Sequence, residues 1–245
     1  VIDSYEVGKS NWTPLMREEF LKRRGYDMKS YIPALLGKYV GSKETTERFL
    51  WDFRRTCADL FADNYTTHFA DICHRYGIIL YQESFMTSVF DEMQVGARAD
   101  VPMAEFWVRT YQDRSKVKMA SSIAHVNGSR LGKDQIVAAE SFSGWYPDGA
   151  YQNYPFSLKS QGDDSFTLGL NRFIFHRFAH QSNTHVAPGM SMGNIGFHFD
   201  RTNTWFDKSS QWLKYVTRCQ YLLQQGRIVS DVLYLLDEDV PVAHD

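Results

Sequence analysis

The chain has 245 residues and a formal net charge of −2, with 43% hydrophobic and 23% charged residues. This balance excludes intrinsic disorder, and the lack of excess Lys and Arg argues against a nucleic-acid partner. The sequence has no apolar run of about 18 residues, so it predicts no membrane segment, and three cysteines are too few for a disulfide framework. Aromatic residues reach 15%; such rings are common in sugar-binding clefts, although most are expected in the core.

The first part of the chain predicts two strands with helices between them. Residues 1–5 resemble the end of a strand, and residues 16–24 predict a short helix. In residues 44–76 apolar side chains recur every three or four positions, which is the spacing of one helix face. Gly77 ends this helix, and residues 78–81 form a short apolar run that predicts a buried strand.

The rest of the chain continues the alternation of helices and short apolar strands. The predicted elements are a loop over 86–105, a helix over 106–127, a strand over 135–139, an aromatic-rich loop over 144–165, a helix over 157–171, a strand over 173–175, a loop over 181–204, a helix over 207–225 and a strand over 228–236.

This order predicts an α/β protein whose parallel sheet is buried by helices. No Gly-rich phosphate loop follows the first strand, which disfavours a dinucleotide-binding or P-loop fold. The predicted strands suit a (β/α)8 TIM barrel, of which about the last five units are present and the first three are absent. We therefore expect residues 1–245 to be one partial barrel domain of a catalytic type, cut from a longer protein.

Polar residues follow the predicted strands at Glu6, Glu83, Glu140 and His176, with His180 one helical turn further on. In a parallel barrel these strand ends share one rim, where active sites are built. Paired carboxylates at a cleft suit glycosidic-bond hydrolysis. The alternative for each glutamate alone is a loop carboxylate that hydrogen-bonds a neighbouring turn.

The loop around Trp145 could stack on the faces of sugar rings, or it could simply pack against the rim of the barrel. His176 and His180 have the spacing of a helical zinc pair, but they follow a strand, so hydrogen bonding to a hydroxyl-rich ligand is the favoured interpretation.

An acidic group follows the second predicted strand. It contains Asp91, Glu92, Asp100 and Glu105, and it could hold a hard cation such as Ca²⁺ or could be a solvated loop. No nucleophile elbow is present, and Cys57, Cys73 and Cys219 all lie on apolar helix faces as core residues.

Several longer segments along the chain form a recognisable set. They are Asp3-Ser4-Tyr5-Glu6, Asn11-Trp12-Thr13, Met16-Arg17-Glu18-Glu19-Phe20, Arg24-Gly25-Tyr26-Asp27, Asp100-Val101-Pro102-Met103-Ala104-Glu105-Phe106-Trp107, Ala139-Glu140-Ser141-Phe142 and His176-Arg177-Phe178-Ala179-His180-Gln181. With these segments, nearly the whole chain resembles glycoside hydrolase family 106, the α-L-rhamnosidase type. The resemblance implies a (β/α)8 catalytic domain, an oligosaccharide or polysaccharide substrate, inverting hydrolysis of α-L-rhamnosides, a calcium ion at the sugar site, and a secreted or periplasmic location.

The resemblance also implies roles for individual residues. Glu6 corresponds to the general acid and Glu140 to the general base, while Glu83 and Glu105 correspond to further carboxylates that bind metal or sugar. With one strand expected between them, Glu6 and Glu140 suit the gap of about 6.5–9.5 Å that inversion requires. We expect Glu6 to lie in a dry environment beside Tyr5 or Trp12, and Glu140 to keep donors such as Ser141 nearby.

Two other functions are weighed against hydrolysis of rhamnosides. One is a non-catalytic carbohydrate-binding barrel that keeps the cleft without turnover. The other is a metal-dependent hydrolase of the amidohydrolase type, which would need a His-x-His near an early strand, and the chain has no such pair.

Overall fold

The computed structural model describes residues 1–6, 11–85, 90–109, 114–131, 135–187 and 189–235. The chain divides into two compact units. The first unit contains residues 1–2, 81–84 and 101–231, and the second contains residues 3–80, 85–100 and those described from 232 onward. No helix of the described chain is both long and apolar enough to cross a lipid bilayer.

The α-helices are α1 (Met16–Arg24), α2 (Lys43–Phe61), α3 (His68–Arg75), α4 (Glu92–Gly96), α5 (Arg114–Leu131), α6 (Pro155–Thr167) and α7 (Ser210–Leu223). The strands are β1 (Tyr81–Glu83), β2 (Val101–Trp107), β3 (Ala138–Ser143) and β4 (Arg172–Phe175). Met28–Leu36 and Phe206–Lys208 form 3-10 helices, and Ala62–Thr67 forms a π-helical turn.

The strands of the first unit form one parallel sheet in the order β1-β2-β3-β4. Ile2 adds an isolated parallel bridge to Gln82 of β1. Helix α5 connects β2 to β3 and α6 connects β3 to β4, which is how parallel neighbours are normally joined. The predicted α/β class with a parallel sheet is confirmed.

The register of the strands brings alternate residues onto a common face of the sheet. Glu83 is the Cα partner of Met103, and Glu105 is the partner of Glu140. Because side chains alternate along a strand, Met103 and Glu105 of β2 lie on the same face. Near the starts of the strands this face is apolar, with Met103 and Ala138 in one buried cluster. Toward the strand ends it carries the glutamates.

The opposite face of the sheet is covered by α5, α6 and α7. The buried cluster on this side combines strand residues with residues of the three helices: Ala104, Phe106, Ala139, Phe142, Val117, Ala120, Leu158, Trp212 and Val216. Both faces of the sheet are therefore occupied near the strand starts, and polar side chains concentrate at the carboxyl ends of the strands.

The second unit packs α1 and α2 around aromatic rings. The Ser42 side chain accepts a hydrogen bond from the Thr45 amide at 3.1 Å and caps the start of α2. Phe20, Phe49 and Phe53 lie in the buried cluster between the helices. The ion pair between Arg24 and Asp59 joins α1 to α2, and Arg55 pairs with the same carboxylate within α2.

Several predicted elements are confirmed with small changes of boundary. The short helix over 16–24 is α1, and the helix over 44–76 is α2 and α3 joined by the wide turn Ala62–Thr67. The helices predicted over 157–171 and 207–225 are α6 and α7. The strands predicted over 135–139 and 173–175 are β3 and β4, and Ile2 represents the strand predicted over 1–5.

The prediction for residues 100–107 is wrong, because β2 lies where a loop and the start of a helix were expected. Pro102 and Glu105 interrupt the apolar pattern of this strand, and a proline usually argues against a central strand. The helix in this region begins at Arg114. The short helix α4, Glu92–Gly96, also lies where the loop was expected. Residues 86–89 and 110–113 of those two predictions lie outside the described residues.

Two further strand predictions need correction. β1 begins at Tyr81, and Ile78 and Ile79 before it are exposed. Residues 228–235 pair with no strand within the described chain, and Leu235 is 97% exposed. The β-branched composition of 228–235 is typical of a strand, but composition alone supplies no hydrogen-bonding neighbour. Residue 236, the last of that prediction, lies outside the described residues.

The side-chain amide of Asn171 stabilises the start of the sheet through hydrogen bonds to two backbone groups. Its Oδ1 accepts from the Val137 amide at 2.9 Å and its Nδ2 donates to the Gln135 carbonyl at 2.8 Å. We expect Asn171→Ala to lower the free energy of unfolding by ~2 kcal/mol or more, because it removes the acceptor of the buried Val137 amide. Urea unfolding measures this.

The control is Asn183→Ala, which removes an exposed side chain that accepts one bond from the His185 amide. It should change the unfolding free energy by less than about 0.5 kcal/mol. Equal losses for the two variants would contradict the role given to Asn171.

Candidate active site

The carboxyl edge of the parallel sheet brings three glutamates onto one face. Glu83 ends β1, Glu105 lies on β2 and Glu140 lies on β3 opposite Glu105. Glu83 is 2% exposed, and one of its carboxylate oxygens lies within 4.8 Å of one from Glu140. The sequence predicts Glu83 and Glu140 at this edge from their positions after apolar runs, whereas Glu105 joins them because β2 exists.

Glu140 accepts a hydrogen bond from one neighbouring side chain and lies beside another. The Ser143 hydroxyl donates to Oε1 at 2.5 Å, and Nδ1 of His176 lies 3.8 Å from the same oxygen. The donor expected from the sequence was Ser141, but its hydroxyl donates to the Ala139 carbonyl at 2.8 Å. Sequence reasoning missed Ser143 because a regular strand would turn it to the opposite face from Glu140.

A pair of tryptophans stands beside this edge. Trp107 is the last residue of β2, and its ring stacks on Trp145 with centroids 5.4 Å apart and planes 15° apart. Trp145 is 60% exposed, so one face of its indole ring packs on Trp107 while the other face remains accessible. Stacked, accessible rings of this kind suit the apolar face of a sugar.

The two predicted histidines differ in environment. His176 is half-buried beside Glu140, and His180 is exposed. A third histidine, His198, was not predicted. It is buried, its Nε2–H donates to the Gly193 carbonyl at 2.8 Å, and its ring stacks on Tyr151 at 3.9 Å. Its position in a Gly- and Asn-rich loop carries no local sequence signal of burial.

Glu6 belongs to the second unit and is exposed. It accepts a hydrogen bond from the Ser4 hydroxyl at 2.9 Å, and its exposure is contrary to the dry environment expected for a general acid. The strand order also differs from expectation. Two strands, β1 and β2, separate the Ile2 bridge from β3, instead of one, because β2 was missed.

Two members of the acidic group around residues 91–105 have structural hydrogen-bond partners. Asp91 caps α4 by accepting from the Gln94 amide at 2.9 Å. Asp100 accepts from the Leu80 amide at 2.8 Å and from His74 at 2.7 Å. These two carboxylates therefore hold loops and helix ends, and Glu105 is the member of the group that lies on the sheet.

Comparison with known proteins identifies the family. The family model of glycoside hydrolase family 106, described as α-L-rhamnosidase, matches residues 1–244. The chain belongs to this family. A solved rhamnosidase from Novosphingobium sp. PP1Y superimposes with a TM-score of 0.79 and 35% identity, over 91% of this chain and 21% of that one. Together with the parallel sheet, this match confirms the predicted family and the partial TIM-barrel type of the fold.

A Formosa agariphila protein provisionally named beta-glucuronidase is 47% identical over 241 residues, which cover 98% of this chain and 20% of the relative. The chain therefore spans about a fifth of the length of the relatives it matches. All of these names describe glycosidases, so the coarse assignment to carbohydrate-cleaving enzymes is consistent across the family 106 match and both relatives.

Burial of two histidines predicts a pH dependence of stability. Burial lowers the pKa of His198 and of His125 from the ordinary value of 6.5, and nearby Lys118 adds to the effect on His125. Below about pH 6.5 the unfolded chain binds more protons at these residues than the folded chain, so stability falls as pH falls. We expect Tm to decrease between about pH 7.5 and 5.5.

His198→Gln keeps an amide donor for the Gly193 carbonyl and removes the titrating ring, so its Tm should fall less over this pH range. The matched control is His185→Gln at an exposed position of the same loop, which should behave as the wild type. If all three proteins show the same slope, burial of His198 does not contribute to the acid sensitivity.

Proposed function

We propose that this chain forms the core of the active site of an enzyme that hydrolyses α-L-rhamnosidic bonds in plant or microbial glycans. The observation that carries the proposal is the group of Glu83, Glu105 and Glu140 at the carboxyl edge of a parallel sheet, where barrel enzymes place their chemistry. The match to the rhamnosidase family over residues 1–244 supports the substrate class.

The proposed mechanism is a single displacement with inversion. Glu140 acts as the general base that takes a proton from the attacking water, and Glu6 acts as the general acid that protonates the leaving oxygen. Glu140 is half-buried, and the hydrogen bond that it accepts from Ser143 fixes the orientation of its carboxylate. Glu6 is assigned as the acid because of its match to the family segment Asp3-Ser4-Tyr5-Glu6.

Four residues are proposed to bind the sugar. Trp145 offers an accessible ring supported by Trp107, and His176 lies beside Glu140 at the same edge. Glu83 is close enough to Glu140 to contact the same sugar ring. His180 is exposed on the loop that follows β4, where it could reach a hydroxyl of the substrate.

A calcium ion is proposed at Glu83 and Glu105. These carboxylates are hard oxygen donors of the kind that Ca²⁺ prefers, and Glu83 is buried within 4.8 Å of a second carboxylate. Two like charges at this separation repel each other in a poorly hydrated place, so a cation would relieve the repulsion. When bound, calcium would anchor hydroxyl groups of the sugar.

Two alternatives share the site. The name of the Formosa agariphila relative favours β-glucuronosides as substrates, and a barrel without turnover would still bind carbohydrate. The test is to assay the full-length protein on aryl α-L-rhamnoside and aryl β-glucuronoside side by side. Turnover of the rhamnoside alone supports the proposal, turnover of the glucuronoside alone replaces it, and binding without turnover supports the non-catalytic alternative.

The mechanism predicts different behaviour for the two glutamates. In the full-length protein, Glu140→Gln should lower turnover by about 10³-fold or more on every rhamnoside. Glu6→Gln should lose as much on a rhamnosyl disaccharide but recover partly on an aryl rhamnoside, whose leaving group needs no proton. Steady-state kinetics on the two substrates measure this difference.

The control is Glu47→Gln at an exposed position of α2, which should leave turnover unchanged. NMR of the first product formed should show the inverted anomer. Retention of configuration, or full activity of Glu140→Gln, would rule out the assignment.

The calcium proposal predicts loss of activity in a chelator and recovery with added Ca²⁺ but not with Mg²⁺, which needs a stricter octahedral site. Calcium should also raise Tm of the wild type and fail to do so for Glu83→Gln. Activity and Tm that are both indifferent to chelator would remove the ion from the site.

A further inference from the structure

Ser143 and Glu140 meet because β3 is irregular. The two residues are three positions apart, and in a regular strand an odd separation puts side chains on opposite faces. In the pairing with β2, Phe106 matches Ser141 but Trp107 matches Ser143, so Phe142 is skipped. Phe142 has a φ of +66°, which is unusual for an aromatic residue. This β-bulge turns Ser143 to the face of Glu140.

The strained residue is held in place by its own side chain. Phe142 is 1% exposed, and its ring packs against Phe106 at 4.8 Å, Phe173 at 5.3 Å and Phe197 at 5.6 Å between centroids. A positive φ is energetically unfavourable for an L-amino acid. Such a conformation persists only where packing around the residue holds it in place. The aromatic cluster supplies that packing on the helix-covered side of the sheet.

Ser143 itself is fully buried and its backbone is tied to β2, since its carbonyl accepts from the Val108 amide at 2.7 Å. Its hydroxyl therefore has little freedom, and it donates to Oε1 of Glu140 at 2.5 Å. A hydrogen bond from a hydroxyl to a carboxylate is charge-assisted and stronger than a neutral hydrogen bond.

We propose that Ser143 is a positioning residue that holds Oε1 of Glu140, so that the second carboxylate oxygen faces the attacking water. This inference rests on the proposed role of Glu140 as the general base. Bulges next to active sites commonly re-aim a side chain, and here the re-aimed side chain is that of Ser143. In this role Ser143 does not contact the reacting atoms and acts only by positioning Glu140.

The test uses Ser143→Ala and Ser143→Cys in the full-length protein. Alanine removes the donor, and cysteine keeps the size but offers only a weak donor. Both variants should lower kcat by about 10- to 100-fold, the effect of losing one hydrogen bond to a charged group, with KM nearly unchanged. The matched control is Ser141→Ala, which removes an equally buried hydroxyl that bonds the Ala139 carbonyl instead, and its kcat should stay within about twofold of the wild type.

A double-mutant cycle shows whether Ser143 acts through Glu140. In a Glu140→Gln background, adding Ser143→Ala should cause little further loss, because the group that Ser143 positions is already disabled. Wild-type kcat for Ser143→Ala, or the same loss in both backgrounds, would overturn the inference while leaving the role of Glu140 intact. Full activity of Glu140→Gln would instead overturn the proposed mechanism and the inference with it.

Discussion

Parallel pairing is the constraint on which the site depends. Strands that run in the same direction end at the same edge, so residues that are far apart in the chain meet there without any local motif. The register between β2 and β3 puts Glu105 directly opposite Glu140, and β1 brings Glu83 to the same face. Hydrophobic burial of both faces near the strand starts holds this register, because a slip of one residue would drive the glutamates into the helix-covered core.

Periodicity in the sequence was sufficient to predict most of the helices and the parallel class of the sheet. The spacing of apolar residues in α2 reflects a single buried face, and that relation is local to the helix. β2 could not be predicted in the same way. Pro102 lacks a backbone donor and Glu105 is charged. Both stand in β2 because the strand as a whole pairs with β1 and β3 and because the polar end of the face receives the carboxylate. Both reasons lie in the tertiary structure and leave no signal in the local sequence of β2.

The candidate site shows the same division between local and tertiary information. Glu83 and Glu140 follow apolar runs, so chain position alone predicted them at the edge of the sheet. Ser143 could not be predicted, because its contact with Glu140 depends on the skipped residue Phe142 and on a cluster of rings assembled from distant segments. His198 is similar, since its burial follows from stacking on Tyr151, which lies 47 positions earlier in a different loop.

The position of Phe142 also has an evolutionary consequence. One residue belongs both to the aromatic packing beneath α6 and α7 and to the bend that carries Ser143. Mutations in the rings around it, such as those at Phe173 or Trp212, can therefore change the contact between Ser143 and Glu140 without replacing either residue. Substitutions in this cluster should be epistatic with those at the site, so a core change accepted in one homologue need not be accepted in another.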